Sequence, residues 1–205
     1  MTDEPAAPVV NHHADHPGFS GVLGILCALV FAVTGRRSGR LAVELTGVTA
    51  DDHVVDVGCG PGTAAREATR RGARATGVEP SASMLRVGRM FARRSGVTLR
   101  EGGAEALPLP DASATAVWAL ATVHHWPDVG AGLAEAHRVL APGGRLLAVE
   151  RQVSPDATGF ASHGWTAAQA QAFAQLCRTA GFTEVAVDSE RLGRREVWAV
   201  SAFRP

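Results

Sequence analysis

Two carboxylates, a run of bare backbone and a pair of imidazoles are the groups in this sequence best equipped for chemistry. Asp56 lies in the apolar run His53-Val54-Val55-Asp56-Val57, just ahead of Gly58-Cys59-Gly60-Pro61-Gly62, where three glycines fall within five residues. Glycines there let the chain turn tightly and let a ligand approach the main chain, at the strand edge where open α/β sheets bind ligands. A pyrophosphate-binding turn spaces its glycines GxGxxG ahead of a helix N-terminus. Here the spacing is GxGxG with Thr63 following, and Asp56 would repel a diphosphate while suiting an ammonium or sulfonium. Glu79 ends the next apolar run, 23 residues after Asp56, where a carboxylate accepts both hydroxyls of a ribose. Together these groups describe a cationic nucleoside without a phosphate bridge, and S-adenosylmethionine is such a molecule. His124 and His125, in Val123-His124-His125-Trp126-Pro127-Asp128, are the candidate proton acceptors, since imidazoles change charge near neutral pH.

The elements that must position these groups follow from hydrophobic periodicity. Strands are expected at His53–Val57, Ala73–Val78, Val97–Arg100, Ala116–Thr122 and Leu146–Glu150. Helices are expected at Ser38–Gly47, Thr63–Arg71, Ser81–Arg94, Val129–Leu140 and Thr166–Ala180. This alternation predicts βαβ units: a Rossmann-like, doubly wound α/β fold with helices on both faces of a mostly parallel sheet. Val185–Val187 and Val197–Phe203, joined only by the turn SERLGRRE, predict a closing hairpin. That makes seven strands, with the last one antiparallel and at the edge. Ser154–Gly164 reads as a loop above the sheet.

Composition narrows the function classes. The chain has 205 residues, enough for one core, and twenty acidic residues balance twenty basic ones. A net charge of +0 supplies no general field for nucleic acid or an anionic membrane. All twenty basic residues are Arg and there is no Tyr, which removes Lys and Tyr as general bases. Cys27, Cys59 and Cys177 are an odd, widely spaced set without a CxxC pair, and the acidic, His-rich start is unlike a signal peptide, so a cytoplasmic location is expected. Phe19–Thr34 carries no charge, but sixteen helical residues reach about 24 Å, short of the roughly 30 Å bilayer core. A lid over the ligand is the preferred reading of that stretch, giving an N-terminal capping segment over 1–37 and a catalytic domain over 38–205. His12, His13, Asp15 and His16 have metal-ligand side chains, but HHxDH matches no fixed tetrahedral spacing, and no metal is expected.

Five motifs in order then give the chain a resemblance to class I S-adenosylmethionine-dependent methyltransferases, in particular the ubiquinone/menaquinone-biosynthesis branch. They are VVDVGCGPGT, GVEPSASML, EGGAEALPLPD, VHHWPD and HRVLAPGGRLLAVE, and the resemblance covers residues 40 to 205. It implies that Asp56, Gly58, Cys59, Gly60 and Gly62 line the methionine end of the cofactor. Glu79 and Pro80 would hold and shape the ribose side, with Met84, Ala104 and Glu105 around the adenine. Where such enzymes often carry Asp beside the adenine amino group this chain has Gly103, so that hydrogen bond is lost, taken over by Glu105 or made by water. The acceptor site is expected around Trp126, Arg151, Phe160, His163 and Trp165, with His125 slightly preferred over His124 as base. The implied activity is methyl transfer from S-adenosylmethionine to a small molecule, lipophilic or quinone-like, releasing S-adenosylhomocysteine. The alternative is an S-adenosylmethionine-binding protein with other chemistry or none. No nucleic-acid partner or stable membrane insertion is expected, and monomer and homodimer both stay open.

Overall fold

The computed structural model describes residues 8–15, 35–92 and 95–205. The proposed lid over residues 17–34, together with His16 and Cys27, lies outside the described residues, as do the side chains of Phe91 and Phe160. In chain order the elements are α1 (Arg36–Thr46), β1 (His53–Val57), α2 (Ala65–Thr69), β2 (Arg74–Glu79), α3 (Ala82–Ala92), β3 (Val97–Glu101) and β4 (Ala114–Leu120). A 3₁₀ turn at Val123–His125 leads to α4 (Val129–Val139) and β5 (Leu140–Arg151). A second 3₁₀ turn at Gly159–Ser162 precedes α5 (Ala167–Thr179), β6 (Thr183–Leu192) and β7 (Arg195–Phe203).

The seven strands form one sheet in the order β3-β2-β1-β4-β5-β7-β6. β1 to β5 are parallel, and β7 runs antiparallel to both β5 and β6. The antiparallel strand therefore lies one place in from the edge expected for it, and β6 is outermost. The hairpin is also longer and tighter than its sequence suggests. Leu192 pairs with Arg195 across a two-residue turn in which Gly193 takes φ +68°, a conformation open to glycine without a Cβ penalty.

Alternate residues of each strand feed opposite cores, as a sheet covered on both faces requires. Val55, Val57, Val117, Ala119, Leu146 and Ala148 pack under α4 and α5. Their neighbours Val54, Ala116, Trp118, Leu147 and Val149 face Leu41, Ala42, Ala65 and Ala68 of α1 and α2. Helix ends are fixed locally. Asp128 caps α4 by accepting from Ala131 N at 2.9 Å, and Thr166 and Gln169 form a reciprocal capping box on α5. Both parallel-strand crossovers that matter for a ligand, β1 to α2 and β2 to α3, leave their turns at the same sheet edge. The order β2-β1-β4 places the chain reversal between β1 and β4 there, where such sheets bind ligands.

Candidate active site

The β1 turn is a backbone cradle. Gly58, Gly60 and Gly62 have φ of +68°, +53° and +70°. A Cβ on Gly58 would lie 2.0 Å from Thr122 Oγ1, so this position accepts no side chain, and the cradle rests directly against the turn that carries the imidazoles. Cys59 is buried above Gly77, whose own Cβ would lie 2.5 Å from the sulfur. Burial pushes the Cys59 thiol up, with Asp56 and Glu79 adding to the shift. Its side chain is a buried, unreactive filler between the turn and β2.

Asp56 and Glu79, predicted to face one ligand, stand on adjacent strands of the parallel β1–β2 pair. Asp56 is 1% exposed and accepts one bond, from Ala65 N at 3.2 Å. Burial, opposed by that bond and reinforced by the Glu79 charge, raises its carboxyl from 3.8 to about 7. A buried carboxylate with no cation beside it fits the ammonium of a cationic ligand. Glu79 ties the two turns together, with Oε2 accepting from Gly60 N and Oε1 from Ser81 N, each at 2.9 Å. Burial raises it as well. Each oxygen keeps a second lone pair, the number a ribose diol needs. Met84 is 1% exposed on α3 and belongs to neither apolar cluster. Ala104 is buried. Glu105 Oε2 lies 2.9 Å from where a Cβ of Gly103 would be, so its carboxylate occupies the neighbourhood of the missing residue-103 side chain.

Thr122 begins the turn that presents His124 and His125. His124 is 3% exposed, and its Nδ1 lies 2.9 Å from Glu150 Oε2 at the end of β5. An ionised carboxylate only accepts, so Nδ1 carries the hydrogen and Nε2 is left to take a proton. Glu150 is 1% exposed and its other oxygen, Oε1, is buried without a hydrogen-bond partner among the described residues. His125 is partly buried, its Nδ1 3.4 Å from His13 O. Burial first, and then the neighbouring His124, lower it to about 4, so it is neutral at pH 7.

Sequence reasoning missed two parts of this arrangement. One is Glu150, although LLAVE ends in an acid at a strand tip just as TGVE does. The other is the strap of residues 9–13, which crosses the acceptor side. His13 N donates to His124 O at 2.9 Å, Asn11 Nδ2 to Trp126 O at 3.2 Å, and Gln169 Nε2 to Val9 O at 2.8 Å. His13 stacks on His163 with centroids 4.1 Å apart, and His124 and His125 are 4.1 Å apart. His12 joins the same cluster at 4.6 Å from His13, its Nε2 donating to Ser162 O. No signal in the sequence links residues 12 and 13 to 124 and 163. Among the described residues no group of three or more ligating side chains is placed to hold a metal.

Among the residues expected to contact an acceptor whose side chains are described, the structure gathers His163 beside the imidazole pair. Trp165 is fully buried, stacks on Phe173 at 4.8 Å and donates from Nε1 to Val10 O at 2.9 Å, so it anchors the strap in the core. Trp126 is 4% exposed and lies against Gly132 of α4, where a Cβ would meet its ring at 2.5 Å. Both rings are buried against their neighbours in the core. Arg151 donates to Ala161 O and holds the loop that carries His163.

Comparison with known proteins bears on the domain and the fold. Residues 55–148 match the family described as "Methyltransferase domain". The demethylmenaquinone methyltransferase of Tropheryma whipplei is 38% identical over 112 residues, 54% of this chain and 46% of that one. The 27-O-demethylrifamycin SV methyltransferase of Amycolatopsis mediterranei is 37% identical over 131 residues, 62% of this chain and 48% of that one. The chain thus spans about half the length of the curated relatives it matches. In fold it is similar to a SAM-dependent methyltransferase from Aquifex aeolicus, with a TM-score of 0.74 at 15% identity over 88% of this chain and 98% of that one. No described helix is long and apolar enough to cross a membrane. The sheet order, the glycine cradle flanked by two strand-tip carboxylates and the match of residues 55–148 to a methyltransferase domain agree with one another.

Proposed function

We propose that the chain transfers a methyl group from S-adenosylmethionine to a small molecule whose nucleophile is made by removing a hydroxyl proton, a phenol or hydroquinone. The observation that carries this reading is the buried His124–Glu150 pair beside the cofactor cradle. Displacement at a methyl carbon needs alignment and exclusion of water more than it needs catalytic groups, so a fixed base is informative about the acceptor. Amines and thiolates do without one. A hydroxyl does not, whether its oxygen or a ring carbon activated by it takes the methyl.

S-adenosylmethionine, when bound, supplies the electrophilic methyl and leaves as S-adenosylhomocysteine. Asp56 holds its ammonium, Gly58, Cys59, Gly60 and Gly62 lie along the methionine end, and Glu79 with Pro80 holds the ribose. Met84 and Ala104 flank the adenine, and Glu105 takes its amino group in place of a residue-103 carboxylate. His124 Nε2 accepts the acceptor's proton while Glu150 fixes the ring through Nδ1–H and balances the charge that forms. His125, held neutral, and His163 wall the pocket with the strap. This geometry favours His124 over His125 as base, because Glu150 holds the His124 ring through Nδ1 while His125 is held neutral. Menaquinone-type and rifamycin-type names among the relatives are in keeping with quinone-like or phenolic acceptors. The test is methyl-labelled S-adenosylmethionine with a panel of phenols, hydroquinones, amines and thiols. Label in the phenol or hydroquinone products supports the reading. Transfer only to amines or thiols contradicts the base assignment, and no transfer with intact cofactor binding favours a binding protein.

A further inference from the structure

Beyond the end of β5, on the far side of Glu150 from the glycine cradle, the structure holds an open cleft of about 820 Å³ that methyl transfer does not use. Its walls include Arg151 after β5, Arg191 and Glu196 on the hairpin strands, and Arg194 and Arg195 at the β6–β7 turn. Four guanidiniums and one carboxylate leave three positive charges around one space, in a chain whose net charge is +0. Several arginines elsewhere lie beside carboxylates. Arg36, Arg40 and Arg70 surround Glu67, Arg138 meets Asp111 and Glu135, and Arg145 meets Asp52. The guanidiniums of Arg191, Arg194 and Arg195 have no ion pair or side-chain hydrogen bond among the described residues. A fifth arginine reinforces the field: Arg37 of α1 reaches the hairpin turn, its Nη1 2.9 Å from where a Cβ of Gly193 would be.

Like charges brought together repel, and they persist where an anion completes them. Guanidinium forks match the paired oxygens of phosphate, and three net positive charges match a diphosphate better than a single carboxylate. The volume is that of a small-molecule site. We infer that this open, arginine-lined cleft is a second ligand site, for a phosphate-bearing ligand, either a soluble phosphate ester or a lipid headgroup. It stands independently of the methyl-transfer reading.

The test uses the full chain and inorganic pyrophosphate, measured by calorimetry at low salt, with the triple variant Arg191→Gln, Arg194→Gln, Arg195→Gln. A second triple variant, Arg71→Gln, Arg74→Gln, Arg86→Gln, removes the same charge from exposed positions elsewhere. Saturable binding weakened at least tenfold in the first variant and retained in the second supports the site with a soluble ligand. Phosphatidylglycerol vesicles that sediment the wild type but not the first variant, and release it to pyrophosphate, support a headgroup. Absence of both bindings, equal loss in both variants, or vesicle binding that pyrophosphate does not compete would overturn the proposal. Unchanged S-adenosylmethionine binding in the first variant shows that the fold and cradle are intact.

Discussion

Replacing Asp56 by Asn should stabilise the ligand-free protein and destroy its affinity for S-adenosylmethionine. Asp56 is buried with one hydrogen bond, and its carboxyl is raised from 3.8 to about 7. In the unfolded chain it titrates near 4, so between about pH 4 and pH 7 the folded state holds a proton that the unfolded state has lost. Wild-type stability therefore falls through that window and stays lower above it. Each pH unit is worth about 1.4 kcal/mol, so the site opposes folding by up to about 4 kcal/mol once both states are ionised. Asn is nearly isosteric, keeps an oxygen for Ala65 N–H, and never ionises. Urea unfolding at a series of pH values, followed by tryptophan fluorescence, should show the two proteins equal near pH 4. The Asp56→Asn variant should then gain steadily on the wild type, by about 2 to 4 kcal/mol at pH 7.5. Saturating S-adenosylmethionine should raise the wild-type midpoint at pH 8, where its ammonium meets the ionised carboxylate, and leave the variant unmoved. Parallel stability curves from pH 4 to 8 would refute the reasoning, since they require an Asp56 already ionised in the fold or exposed to water.

Other consequences concern separate parts of the site. His124→Ala should lower turnover about 10² to 10⁴-fold with S-adenosylmethionine affinity unchanged, and Glu150→Gln should lower turnover and shift the acid limb of the pH–rate profile. Wild-type rates in both variants would remove the base. Gly58→Ala forces a Cβ to 2.0 Å from Thr122 Oγ1 at φ +68°, so it should cost about 2 kcal/mol or more in denaturant unfolding, with Thr122→Ala restoring part of the loss. Glu105→Ala should weaken cofactor binding about tenfold by calorimetry, and Gly103→Asp added to it should recover affinity, which it would not if Glu105 only caps the α4 turn. Trp165→Phe removes the bond to Val10 O and should free residues 9–13 to exchange amide hydrogens faster, at about 1 kcal/mol of stability.

The parallel sheet and its cradle were legible because both depend on local pattern. Continuous apolar runs such as Val54–Val57 and Ala116–Leu120 fix strands buried on two faces, and three glycines after β1 fix a left-handed turn. Asp56 and Glu79 could be paired because register in parallel β1 and β2 follows from the crossover. Helix ends were less legible: α2 is regular only over Ala65–Thr69, since Gly62 and Thr63 are drawn into the turn. The hairpin was read too short, because one glycine at 193 closes a turn that charge alone made look like a loop. The His124–Glu150 pair and the strap depend on contacts between residues 26 and more than a hundred positions apart, which no local periodicity encodes. Trp126 and Trp165 are expected at the acceptor site from the resemblance, whereas the structure shows them packed against Gly132 and Phe173.

The most direct measurement is a crystal structure of the protein grown with S-adenosylhomocysteine. The amino group of the product should lie against Asp56, the ribose hydroxyls on Glu79, and the sulfur facing the turn that carries His124. A ligand seated in the arginine-lined cleft or elsewhere, with Asp56 and Glu79 untouched, would contradict the cradle's assignment.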